Sequence, residues 1–538
     1  MNDDAEDDSN IEDFPDPAGM ATPGDRYRLT DVGNANRFAD RHGKNVRWCA
    51  STQGDGLLVW DGNRWHPDET QTVLGLAQAV ALDVYQDSLA AAEEVKDLER
   101  MAKGEIPCDD PTTLATRIKG AQARAKALAA WAKASEMSPR LNAMVAVALP
   151  GVAVRQKQLD ADPFLFAAYG ETYDLRTGKP RGSRRTDLIT RLANVTPDPH
   201  AGCPTWLEFL YRIMGADRSL PDDAPVNVQA AETVAFLQRA IGYSLTGSIK
   251  EQVMFVCYGA TGGNGKSTFL DTICDMMGDY ACITRAETFM RSERKSTIPN
   301  DLAALDGRRF VKCSEPDQGA ILDDALIKEM TGDAKLSVRF LNREFFDLLV
   351  KFKAWMATNH RPIVRGTSRA IWRRLMLIPF EVAIPEAEWD RNLLDKLAAE
   401  RPGILAWAIQ GCLMWQHGTT YADGRKLGPG LHPPPHVLAA KEAYRADMDV
   451  LGDFIADRCV VGPYEAANNT DLYRAFQSWQ KDQGEIPRAQ RWFSRALQDR
   501  GFKQAARRDQ GRRWEGIGLR PEKSASTGYR HPDDPGWQ

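Results

Sequence analysis

The chain has 538 residues, 27% of them charged, with a formal net charge of −5 and nine cysteines. That length exceeds one hydrophobic core and predicts three or four domains of about 150 residues each. The charge balance excludes a uniformly basic nucleic-acid binder, and no apolar run approaches the ~18 residues that cross a bilayer. Cysteines scattered singly, never as C-x-x-C, exclude a zinc ribbon and a disulfide framework, so a reducing, cytoplasmic setting without a membrane partner is expected.

The first sixteen residues carry eight Asp/Glu. This excludes a secretory signal and predicts a disordered tail over 1–24. Residues 25–70 read as a small α/β or hairpin element, with Leu57-Leu58-Val59-Trp60 and Arg64-Trp65 flanking the turn Asp61-Gly62-Asn63. The Ala-rich stretch 71–147 is helical in pattern and broken near Gly104 and Pro111. Short strands are expected over 160–200, where Asp174-Leu175-Arg176-Thr177-Gly178 is a turn. Pro197, Pro199 and Pro204 then mark a boundary. The region 25–204 is therefore a mixed α/β and helical N-terminal part. The acidic pair Asp160 and Asp162 superficially matches a polymerase-type metal site, but Asp162-Pro163 starts a turn and no third acid follows. A fused primase is not expected.

Helices over 204–250 lead into an ATPase core placed at 205–385. There the β-prone run Val253 to Tyr258 feeds Gly259-Ala260-Thr261-Gly262-Gly263-Asn264-Gly265-Lys266-Ser267-Thr268, and an apolar-periodic helix follows. This is a phosphate-binding loop, in which glycines let successive N–H groups point at one anion beside a helix N-terminus. Gly262, Gly263, Asn264, Gly265, Lys266, Ser267 and Thr268 are the expected ATP contacts. Lys266 would reach the β- and γ-phosphates, and Ser267 would ligate Mg²⁺. Ala260 occupies the place where the strict motif has glycine, with Gly259 one residue earlier.

Downstream, Arg309 to Glu315 is a short apolar strand ending in a carboxylate. Glu315, ahead of Asp317, is the candidate for ordering Mg²⁺ and polarising the attacking water. The alternating strand Phe352 to Thr358 closes on Asn359, which suits a water-holding sensor or, equally, a turn before His360-Arg361-Pro362. Arg373 and Arg374 enter another strand, either as surface ion pairs or as an arginine finger reaching a neighbour's ATP.

A helical extension and Gly/Pro-rich linker occupy 386–436, with Gly428-Pro429-Gly430 and Pro433-Pro434-Pro435. Residues 437–522 form a C-terminal module, and 523–538 a tail. Across 447–520 the pattern is helix, helix, helix and hairpin. Arg488, Arg491 and Arg495 recur at helical spacing beside Trp492 and Phe493, and Arg512 and Arg513 lie on a basic hairpin. Residues 488–523 carry a basic excess of seven. A winged-helix-like module is expected, its helix toward a DNA groove and its hairpin on phosphates.

The ordered set G-A-T-G-G-N-G-K-S-T-F (259–269), S-E-P-D (314–317), I-K-E-M-T-G-D (327–333), A-T-N-H-R-P (357–362) and I-W-R-R-L (371–375) resembles the superfamily 3 helicases, in their phage, plasmid and poxvirus primase–helicase branch. Thr30 to Ala35, Trp60 to Trp65, and residues 163–250 resemble the segments that precede the motor in that branch. The resemblance covers about 28–385. It implies an AAA+-like core within the α/β class, assembled as a homo-oligomeric ring, usually a hexamer, that draws single-stranded DNA through its pore with 3′ to 5′ polarity at forked DNA. It also implies Glu315 as the Walker B acid, Asn359 as sensor 1, Arg374 or Arg373 as the finger, Arg343 as a DNA-contacting pore residue, and a separate primase or polymerase as partner. The second expectation is an initiator or loader that remodels an origin without processive unwinding.

Overall fold

A computed structural model describes residues 26–52, 54–291, 300–332, 335–339, 345–364, 369–420, 424–483, 487–507 and 511–520. Both expected tails and Arg343 lie outside the described residues. Contacts divide the chain into two compact units, 1–173 with 180–192, and 174–179 with 193–538.

In the first unit, α1 (Asp31–His42) starts where Thr30 Oγ1 accepts from the Gly33 N–H at 3.1 Å, a side-chain cap for an otherwise unpaired donor. Strands β1 (Val46–Trp48), β2 (Leu57–Trp60) and β3 (Trp65–Pro67) form an antiparallel sheet. The expected turn closes its second hairpin, with Asp61 Oδ1 accepting from the N–H groups of Asn63 at 2.7 Å and Arg64 at 2.8 Å. The Ala-rich stretch is the helix pair α2 (Thr72–Ala102) and α3 (Leu114–Ser135), followed by α4 (Ser138–Ala148). Small side chains let these helices approach, and Ala35, Phe38, Val46, Val59, Ala77, Val80 and Met144 share one core. Asn34 sits inside it, accepting from Trp131 Nε1 at 3.1 Å and donating to Ser135 Oγ at 2.9 Å, so a buried polar group is satisfied. Strands β4 (Leu165–Ala168), β5 (Glu171–Asp174) and β6 (Lys179–Gly182) make a second small sheet. Asp160 and Asp162 are turn residues. Asp160 accepts from the Thr190 N–H at 2.8 Å and from its hydroxyl, and Asp162 accepts from the Phe164 N–H at 2.9 Å.

The second unit is built on a parallel sheet. Helices α5 (Pro204–Ile213) and α6 (Pro225–Leu245) precede β7 (Met254–Tyr258), α7 (Lys266–Met277) and β8 (Ala281–Thr284). Then come α8 (Asn300–Ala303), β9 (Phe310–Cys313), α9 (Asp324–Gly332), the antiparallel pair β10 (Lys335–Val338) and β11 (Phe346–Leu349), β12 (Lys353–Thr358), α10 (Arg369–Trp372) and β13 (Leu375–Pro379). The sheet order is β13-β7-β12-β9-β8, with every neighbouring pair parallel. Strands β7, β12 and β13 are buried on both faces and read as largely apolar runs, whereas β8 leaves Ile283 exposed. Period two still sorts them. Phe255, Phe310 and Trp355 stack on one face, Trp355 4.0 Å from Phe255 and 5.6 Å from Phe310. Met254, Val256, Val311, Ala354, Met356 and Leu377 line the other.

Next follow α11 (Leu393–Ala399), α12 (Arg401–His417), the short pair β14 (Thr419–Thr420) and β15 (Lys426–Leu427), and α13 (Pro435–Asp447). Helices α6 and α12 meet backbone to backbone. A Cβ on Gly242 would lie 2.1 Å from the Cys412 nitrogen, and one on Gly411 2.0 Å from the Gln238 oxygen.

The last part contains α14 (Val450–Arg458), β16 (Cys459–Asn468), α15 (Asn469–Asp482), α16 (Gln490–Asp499), β17 (Lys503–Arg507) and β18 (Gly511–Leu519) around Phe454, Phe476, Phe493, Trp514 and Ile517. The expected pattern lacked β16. Gly462-Pro463 reads as a turn, yet β16 pairs with β18 alone and its register shifts between Val461 and Ala466. An irregular edge strand is where a sheet tolerates proline.

Candidate nucleotide and nucleic-acid sites

The parallel register brings three motifs to one end of the sheet. Thr358 lies beside Tyr258, and Met356 beside Cys313, so Gly259, Asn359 and Glu315 emerge side by side at the carboxyl ends of β7, β12 and β9. That end of a parallel sheet is where ligands bind. The glycine loop then enters α7, with Gly263 and Gly265 at φ of 71° and 79°, a conformation that favours glycine. Gly259 accounts for the displaced glycine of the motif. A Cβ there would lie 2.2 Å from Asn264 Nδ2 and 2.3 Å from the Phe380 oxygen.

Lys266 is 6% exposed. Its ammonium donates to the Gly259 oxygen at 3.1 Å, Asn264 Oδ1 at 2.9 Å and Asn359 Oδ1 at 2.8 Å. Asn359 in turn reaches Glu315, its backbone N–H donating to Oε1 at 2.7 Å and its Nδ2 to Oε2 at 3.1 Å. Lysine, asparagine and glutamate therefore form one chain of hydrogen bonds. Burial pushes the Lys266 pKa down, and the nearby Glu315 opposes the shift. Three neutral acceptors leave this ammonium short of a counter-charge, the condition an incoming phosphate relieves. Gly262, Ser267 and Glu315 are exposed, and Thr268 is partly so. A serine hydroxyl and one carboxylate suit Mg²⁺, which keeps most of its waters and shares the phosphates rather than needing a dedicated cage.

Other residues at this site were given no role by the sequence motifs. The Ile384 N–H donates to the Gly263 oxygen at 2.9 Å, and the Trp389 indole donates to the Ile384 oxygen at 2.9 Å. The segment after β13 thus crosses the glycine loop. Arg361 lies with its guanidinium 4.6 Å from the Tyr258 ring centre.

The two finger candidates differ sharply. Arg374 is buried, its Nε donating to Thr331 Oγ1 and its Nη1 to the Ala370 oxygen, each at 2.9 Å. Arg373 is exposed, with a 3.4 Å contact to Gln252. Arg343 lies outside the described residues, in the connection between β10 and β11.

In the C-terminal part, Arg491, Arg495 and Arg512 line one groove with Asn469, Gln490, Ser494, Gln498 and Gln504, about 620 Å³ in volume and without a lining carboxylate among the described residues. Arg488 departs from the expected helical spacing. It precedes α16, just after Pro487, with its N–H held by Gln480 Oε1 at 2.9 Å and its guanidinium 4.4 Å from the Trp492 ring. Arg513 donates to the Ala466 oxygen at 3.2 Å. Both therefore brace the groove rather than line it.

Comparisons with known proteins give partial similarities. Residues 35–215 match the family model described as D5 N terminal like. The chain is 25% identical over 392 residues to a frog virus 3 protein named as a candidate helicase, 022R, covering 60% of this chain and 39% of that protein. It is 27% identical over 356 residues to the candidate helicase L207/L206 of Acanthamoeba polyphaga mimivirus, covering 62% and 35%. A candidate primase of African swine fever virus, C962R, is 24% identical over 245 residues, 43% of this chain and 25% of that one. Among solved structures, the apo NrS-1 C terminal region aligns with 65% of this chain and 83% of its own, at 10% identity and a TM-score of 0.35. The chain thus spans little more than a third of the length of the viral helicase relatives. Over part of its length the chain is thus similar to viral proteins named as candidate helicases and as a candidate primase.

Proposed function

We propose that the chain is the motor of an ATP-dependent, Mg²⁺-requiring DNA helicase acting in viral or mobile-element replication. The observation that carries this reading is the Lys266–Asn359–Glu315 chain at the carboxyl end of the sheet. A phosphate-binding lysine, a polar sensor and a carboxylate within bonding reach are what hydrolysis of a phosphoanhydride needs. Numbered in chain order, the parallel strands follow the order 5-1-4-3-2, which supports an AAA+-like core of superfamily 3 type. In this reading Lys266 neutralises the β- and γ-phosphates while Ser267 and Glu315 would hold Mg²⁺, the ion that draws charge from those phosphates. Glu315 polarises the attacking water, and Asn359 orients it. The helix–strand–helix–helix–hairpin order of the last part supports a winged-helix-like DNA module. A homo-oligomeric ring, 3′ to 5′ polarity on forked DNA, and a separate primase or polymerase partner complete the proposal.

A strand-displacement assay on forked duplexes, run beside ATP hydrolysis, tests it. Unwinding of forks with a 3′ single-stranded arm is expected. Hydrolysis and DNA binding without strand separation would instead support an origin-remodelling loader.

A further inference from the structure

Helix α13 touches residues around the nucleotide site at three places, none of them a candidate nucleotide contact. The Arg361 guanidinium, two residues beyond Asn359, pairs with Asp447 near the end of α13. It also lies 4.6 Å from the ring of Tyr258, the last residue before the glycine loop, and 5.8 Å from the ring of Tyr444 on α13. The Tyr444 hydroxyl, buried, donates to the Pro362 oxygen. The Tyr444 ring meets Trp372 edge-on at 5.1 Å, immediately before the Arg373–Arg374 pair. One helix end therefore contacts the sensor loop and the arginine turn, and through Arg361 it reaches the strand feeding the phosphate loop.

That same helix end joins the DNA module. Two residues after Asp447, Asp449 caps α14, its Oδ1 accepting from the Gly452 N–H at 3.0 Å. Asp449 also pairs with Arg500, the residue that follows α16. Helix α16 carries Arg491 and Arg495 of the basic groove. Two ion pairs thus flank Met448, one reaching toward Asn359 and the other toward the groove helix.

We infer that Arg361 is a positioning residue of the nucleotide site, and that the pairs Arg361–Asp447 and Asp449–Arg500 transmit occupancy of the basic groove to the Asn359 sensor. Half-exposed ion pairs contribute little to stability, so their placement at this junction is better explained by geometry than by folding energy. DNA seated on α16 shifts Arg500, and through Asp449 and Asp447 shifts Arg361 and the loop bearing Asn359. Coupling in binding free energy is reciprocal, so a change that DNA makes in nucleotide affinity requires that nucleotide change DNA affinity by the same factor. This inference rests on the proposed nucleotide and DNA sites.

The test uses the full chain with Asp447→Asn and Asp449→Asn. Asparagine keeps the α14 cap while removing the charge. Hydrolysis is measured with and without forked duplex, and duplex affinity with and without a non-hydrolysable ATP analogue. In the unmodified chain each ligand should change the response to the other by about 5-fold or more. In each variant that factor should fall toward one, while basal hydrolysis and nucleotide-free DNA affinity stay within about two-fold. Asp447→Glu should restore the coupling. A purely structural role would lower basal hydrolysis instead. Undiminished coupling in both variants overturns the relay, as does an unmodified chain that hydrolyses ATP and binds DNA independently. Absence of hydrolysis or of DNA binding in the unmodified chain would overturn the site readings themselves, and the relay with them.

Discussion

Lys266 is a buried cation surrounded by neutral oxygens, and its titration should report its role. Burial lowers its pKa in the free protein. The folded value then lies below the unfolded one, so charged Lys266 opposes folding at pH below the folded value. That opposition fades as pH rises toward the ordinary lysine range. A bound phosphate adds counter-charge to that of the nearby Glu315 and raises the pKa again. Nucleotide binding at a pH between the lowered and the restored values should therefore take up protons, measurable by calorimetry in buffers of different ionisation enthalpy. Lys266→Met should lose that uptake and reduce hydrolysis by about 10²-fold or more. Equal proton uptake by the two proteins would show that Lys266 does not meet the phosphates.

Among the elements, the groove between α16 and the β17–β18 hairpin permits a quantitative test. Each phosphate neutralised on duplex DNA contributes about −0.9 to the slope of log affinity against log salt. Arg491, Arg495 and Arg512 are exposed, so replacing all three with alanine should change stability by no more than about 0.5 kcal/mol per site. The salt slope should flatten by about 3 if each meets one phosphate. Arg488→Ala and Arg513→Ala should move it less, because those side chains lie on Trp492 and on the Ala466 carbonyl. An unchanged slope in the triple variant would mean that the groove is merely solvated. The same element shows what the sequence could reveal. Its helices and hairpin announce themselves through local apolar spacing and caps, whereas β16 is hidden by Gly462-Pro463. The strand–glycine loop–helix around residues 259–268 was equally legible, because its pattern lies in ten consecutive residues. Asn264 bracing Lys266, the chain crossing from Ile384 to Trp389, and Arg361 reaching Asp447 all depend on register and tertiary contact, which no local pattern encodes. The burial of Arg374 was hidden for the same reason, since Thr331, its partner, lies 43 positions away.

At the scale of the whole molecule, the proposed ring assigns different roles to the adjacent arginines. Arg374 is bonded within its own chain. Arg374→Ala removes a guanidinium from Thr331 and the Ala370 carbonyl and should cost about 1–3 kcal/mol, read from the denaturant midpoint. Arg373, exposed on the same turn, is the residue able to reach another subunit. A heterologous interface that closes into a ring sets each subunit's arginine against its neighbour's nucleotide. An arginine supplied in this way accelerates phosphoryl transfer by roughly 10³–10⁵-fold. Arg373→Ala should therefore keep the unfolding midpoint and ATP affinity of the unmodified chain yet hydrolyse slowly. Mixed with Lys266→Ala protein, some interfaces would combine an intact Lys266 with an intact Arg373, and hydrolysis should rise above that of either protein alone. If mixed assemblies form, as shown by native mass spectrometry, and hydrolysis stays at the level of the separate variants, Arg373 does not act across subunits. A loss of hydrolysis in Arg374→Ala that mixing rescues, without any change in its unfolding midpoint, would reverse the two assignments.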